Sequence, residues 1–173
     1  LQEHISKSGT QLLVAAIISN TLDLHAHVTH DRDRRALQGL STYANTSHQW
    51  KSDYFNAVEK QLFADVHTSI REDTKIEKLE GIAGPVAIGQ IELWNGRDFI
   101  HKHINDIATT LGSMEARSWF MTIPSISENC NYILTSNPEL QKILSEKLNT
   151  SFQENIARTN RLWLRKEILQ TFL

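Results

Sequence analysis

The stretch Gly84-Pro85-Val86-Ala87-Ile88-Gly89-Gln90-Ile91-Glu92-Leu93-Trp94-Asn95-Gly96-Arg97-Asp98-Phe99-Ile100 decides the fold, and it reads two ways. Gly84 and Pro85 suit an N-cap and a first helical position, where proline's missing N–H costs nothing. Ile100, Ile104, Ile107 and Leu111 then continue at helical spacing, with Gly112 as the stop. Against this, Asn95-Gly96 stands between two apolar runs, a strong local hairpin signal. The helix reading is preferred. Phe99 and Ile100 belong to the helix that follows, and a lone hairpin would have no sheet to join.

Outward from this stretch the chain reads as helix. Leu13, Ile17, Leu24 and Val28 fall on one face of a segment from about Thr10 to His30. A short helix carries Leu37, Leu40, Tyr43 and Ala44, weakened by Gly39. Phe55, Val58, Leu62, Val66 and Ile70 step by three or four residues, predicting a helix over about Ser52 to Arg71. Thr74 with Glu77 and Ser125 with Glu128 match capping boxes, predicting short helices after each, the first stopped at Gly81. Ser136-Asn137-Pro138 is a strong helix start. A near-heptad stripe from Leu140 through Phe152 and Trp163 to Ile168 extends that helix to about Gln170, a rod of roughly 50 Å. The expected fold is all-α: residues 1–173 as one helical bundle, drawn out by long first and last helices.

Composition narrows the function. The 173 residues hold only 7 Gly and 3 Pro, which excludes low-complexity and disordered classes. A formal charge of -2 gives no uniformly basic field to attract nucleic acid. Cys130 is the single cysteine, so neither an internal disulfide nor a thiolate zinc site is available, and it is expected to pack as a small apolar residue. The longest apolar run, Leu12 to Ile18, falls far short of the roughly 20 residues needed to cross a bilayer. The chain starts at Leu1 rather than Met, the mark of a processed or excised segment, and its localisation stays open.

No esterase elbow, phosphate loop, dinucleotide fingerprint or zincin motif occurs, so no catalytic residue and no cofactor is assigned. Asp23, His27 and His30 lie at i, i+4 and i+7 and would share a stripe of the first helix, a donor set transition metals use. One helix cannot close such a site, and a solvated polar flank accounts for it, so no metal is assigned. In the middle helix, Trp94, Arg97 and His101 share a face, placing an aromatic ring, a fixed cation and an imidazole in one patch suited to an anion. These three are the expected ligand-binding residues. Arg161 beside Trp163 and Arg117 beside Trp119 repeat the Arg–Trp pairing.

Arg97 with His103 also resembles the Arg-x4-6-His signature of the higher-eukaryote-and-prokaryote nucleotide-binding RNases. The resemblance implies metal-independent RNA cleavage at a helical dimer interface. Asp98 stands where that family carries Asn, and Lys102 where its commonest spacing places His. The functional expectation is a non-enzymatic regulatory or sensory helical domain that binds a small ligand or a protein partner. Its concrete form is an extracytoplasmic sensor fragment, with Leu1 and Leu173 at one end of the bundle. The RNase is the alternative.

Overall fold

The computed structural model describes residues 5–173 and has a mixed α/β fold, not an all-α one. The chain divides into two compact units, with the boundary after Val58.

The first unit contains α1 (Lys7–Thr21), α2 (Asp31–Ala44) and the start of α3 (His48–Ala64). The expected first helix ends nine residues early. Thr21 turns its hydroxyl back to the Ile17 carbonyl and accepts the Leu24 N–H, while Leu22, Asp23 and Leu24 all take positive φ. Such local side-chain bonds compete with helix propagation. The buried face of α1 is also rotated from the expected stripe: Thr10, Val14, Ile18 and Thr21 are buried, and Leu13 is exposed.

The second unit is built on a six-stranded sheet ordered β1 (Thr74–Lys78), β2 (Pro85–Gln90), β3 (Ser118–Ser125), β4 (Cys130–Leu134), β6 (Ile156–Arg158) and β5 (Phe152–Gln153). Only β2 and β3 pair in parallel, joined by the crossover helix α5 (Gly96–Gly112); the other neighbours are antiparallel. Successive strand residues point to opposite faces. Met121, Ile123, Tyr132 and Leu134 therefore face α5 and α4 (Val66–Glu72), while Phe120 and Ile133 face α6 (Pro138–Leu148) and α7 (Arg165–Gln170).

This double cover explains the central correction. Val86 to Gln90 are buried without alternation, as a parallel strand covered on both faces requires, and such a run carries no period to separate it from a buried helix. Gly84 and Pro85 open a strand rather than a helix. Asn95-Gly96 is neither hairpin nor mid-helix: Asn95 caps α5, and the Gly96 N–H donates to Ser125 Oγ at 2.9 Å. A Cβ at Gly96 would lie 3.1 Å from side-chain atoms of Ile123 and Ser125, so the glycine permits the close helix–sheet approach.

The other expected helices give way for similar reasons. Asp65 interrupts the Ser52–Arg71 stripe by capping α4, accepting from the Thr68 N–H at 3.0 Å; Leu62 is only half-buried. Thr74 and Glu77 lie in β1. Ser125 and Glu128 do pair, Ser125 Oγ donating to Glu128 at 2.7 Å, but the pair braces the β3–β4 turn. Ser136-Asn137-Pro138 starts α6 as expected, with Asn137 as N-cap. The rod beyond it does not form, because Asn149 takes the left-handed conformation at the C-cap and β5 and β6 follow. Among the described residues no helix is long and apolar enough to cross a membrane. Leu1, which the sensor geometry needed, lies outside the described residues.

Candidate functional site

In open α/β sheets ligands gather at the carboxyl ends of parallel strands. Here that edge lies beyond Gln90 and Ser125, where the chain leaves β2 and β3. The Gln90 amide bridges two elements: Nε2 donates to Glu92 Oε1 at 3.0 Å, and Oε1 accepts the Arg165 N–H at 2.5 Å. Arg165, at the start of α7, sends its guanidinium across to Asp73, donating to its carbonyl and pairing with its carboxylate at 2.8 Å. Lys75 in β1 stands opposite Ile88, two residues from Asp73, and Lys166 follows Arg165 in the chain; both lysines are exposed.

Glu92 is the most perturbed group of this edge. Burial pushes its carboxyl up to about 7, with the negative charge of Asp73 adding to the rise, while Arg165 and the Gln90 bond oppose it. A carboxyl poised there exchanges a proton readily at neutral pH. Behind the edge, Asn131 is fully buried in β4 and ties three segments together: its amide donates to Thr122 Oγ1 at 2.7 Å and to the Trp163 carbonyl at 2.8 Å, and it accepts the Trp163 N–H at 2.8 Å. Arg161 stacks on the Trp163 ring, 3.3 Å from its centre, so this expected Arg–Trp pair is formed.

The expected ligand residues meet in part. Arg97 and His101 line one cavity of about 650 Å³, together with Ile100, Tyr132, Glu154 and Arg158 among others; Trp94 is not among its lining residues. Trp94 instead marks the turn before α5, its N–H bonded to Glu59 and its carbonyl accepting from Ser127 Oγ at 2.5 Å. Burial raises the Glu59 carboxyl pKa against those backbone bonds.

His103 does not share the cavity with Arg97. It sits at a kink in α5, bonds Asp106 at 2.8 Å and packs its ring against Phe63 and Phe99, which removes the geometry the RNase reading requires. Asp23, His27 and His30 do not form a stripe either, since α1 has ended; Asp23 pairs with Lys51 at 2.5 Å. Among the described residues no three His, Cys, Asp or Glu side chains converge as a metal site. Cys130 is buried, and burial raises its thiol pKa, consistent with a packing role.

Asp73, Gln90, Glu92 and Arg165 escaped the sequence reading, because the first and last lie 92 residues apart. The available signal was local: Gln90 and Glu92 follow the apolar run Val86 to Gly89, as polar residues at the mouth of a buried strand do.

The second unit thus belongs to the layered α/β proteins with their polar groups at the strand ends. No family profile matches the sequence, and no curated protein matches it. The fold resembles that of a Methanococcus jannaschii protein provisionally assigned as a family II inorganic pyrophosphatase, with a TM-score of 0.70 and 19% identity; the match covers 99% of this chain. The chain spans 58% of the length of that structure. An exopolyphosphatase-related protein from Bacteroides fragilis aligns more loosely, with a TM-score of 0.40 and 12% identity over 97% of this chain and 49% of that one. The sensor and RNase expectations both presupposed a helical bundle, and this α/β fold overturns them.

Proposed function

We propose that the chain is part of a hydrolase acting on a phosphoanhydride or phosphate ester, and that the carboxyl edge of β2 and β3 meets the substrate's phosphate. The observation that carries the reading is the coupling of Glu92, titrating near neutrality, to the anchored Arg165 through Gln90. Arg165 is a cation already fixed before substrate arrives, so it can stabilise developing phosphate charge without reorganising. Glu92 has the proton affinity to protonate a leaving oxygen at neutral pH. Lys75 and Lys166 supply mobile ammonium groups that attract a polyanion. The likeness to a protein described as a pyrophosphatase supports inorganic pyrophosphate as the first substrate to try.

The test is calorimetric titration of the chain with pyrophosphate. Saturable binding is expected, weakened at least about tenfold, or ~1.4 kcal/mol, in Lys75→Ala/Lys166→Ala. No saturable binding at millimolar pyrophosphate, or equal affinity in that variant, would overturn the proposal.

A further inference from the structure

A second group of cations lies on the α5 side of the sheet, on residues other than those of the Glu92–Arg165 edge. Tyr132 and Arg158 are directly opposed in the β4–β6 register, so both project on the α5 side of the sheet. Ile100 and His101 lie one turn of α5 beyond Arg97, and the three face them across the cavity of about 650 Å³. The Tyr132 hydroxyl is the node. It accepts from Arg97 Nε at 3.2 Å, donates to Glu128 Oε1 at 2.8 Å, and is the group toward which the Arg158 side chain is directed.

The charges on this wall are Arg97 and Arg158 against Glu154 at the rim and Glu128 behind Arg97. Glu128 is saturated by Ser125, Tyr132 and Arg97; burial opposes its ionisation, but these partners prevail and hold its pKa below the ordinary value. A guanidinium has five N–H donors; Arg97 uses Nε and Nη2 on these partners and lines the cavity with donors to spare.

We propose that this cavity binds a phosphorylated small molecule of mononucleotide size, with the phosphate between Arg97 and Arg158 and the organic portion on Ile100 and Ile156. Two guanidinium forks arriving from a helix and a strand suit a tetrahedral group, whose oxygens can serve both, better than a planar carboxylate with two. An inorganic anion alone would fill a small part of a space this size, which lies within the range of small-molecule pockets. His101 adds a donor on the same helical face as Arg97. The site shares no residue with the Glu92–Arg165 edge, so it stands or falls separately.

The experiment is calorimetric titration with AMP and, separately, with inorganic phosphate. Saturable AMP binding is expected, tighter than inorganic phosphate. It should weaken about tenfold or more in Arg97→Gln and in Arg158→Gln, two exposed residues on different elements whose folding is checked by circular dichroism. Lys75→Ala/Lys166→Ala should leave AMP affinity unchanged. Absence of saturable AMP binding would overturn the proposal, as would affinity indifferent to both arginine substitutions or lost in the double-lysine variant.

Discussion

Replacing Glu92 with Gln isolates the cost of burying a carboxyl beside the charge of Asp73. A carboxyl raised from 4.5 to about 7 binds its proton more tightly in the folded chain than in the unfolded one. Between those pH values the native state holds more protons, so stability falls as pH rises through the window and the penalty is complete above about 7. Each tenfold gain in proton affinity is worth ~1.4 kcal/mol, which makes the full penalty about 3 kcal/mol. Gln keeps an oxygen that can accept from Gln90 Nε2 but never ionises, so Glu92→Gln should escape the loss. Urea unfolding of both proteins from pH 4 to 8.5 is the assay. The two should match most closely near pH 4, and the variant should gain about 2 to 3 kcal/mol relative to the wild type by pH 8. A difference that stays flat across this range would refute the assignment of Glu92 as a buried, proton-holding group.

Asn131→Ala should lower unfolding stability by roughly 3 kcal/mol or more in urea titrations, because it strands the Trp163 N–H and carbonyl and the Thr122 hydroxyl in a buried region. Gly89→Ala would place a Cβ 2.5 Å from Met121 Sδ and 3.2 Å from Thr74 Oγ1; it should cost about 1 to 3 kcal/mol, read as a lower thermal midpoint.

Legibility in the sequence followed the range of the interactions. Caps made within four residues could be seen: the Asn137-Pro138 start of α6 was plain, and the Ser125–Glu128 pairing was correctly located although it braces a turn. Strands buried on both faces could not, because Val86 to Gln90 and Cys130 to Leu134 show no alternation to betray them. The last helix was overextended since Phe152 and Trp163 happen to fall in heptad register, while the decisive signal was Asn149, which adopts φ 48°. Arg97 and His101 were found together because they are one helical turn apart. Tyr132 and Arg158, which complete their cavity, depend on a strand register that no local pattern specifies.

The Arg165 clamp has a consequence for synthesis of the chain. Arg165 follows its partner Asp73 by 92 residues and Gln90 by 75, so most of the sheet is made before the cation that completes this edge exists. Chains fold progressively as they emerge from the ribosome. During that interval Gln90 and Asp73 have only water for the bonds they later make to Arg165, and the edge acquires its final charge arrangement only once Arg165 has been made. Growing chains therefore carry no finished Gln90–Asp73–Arg165 edge until α7 docks.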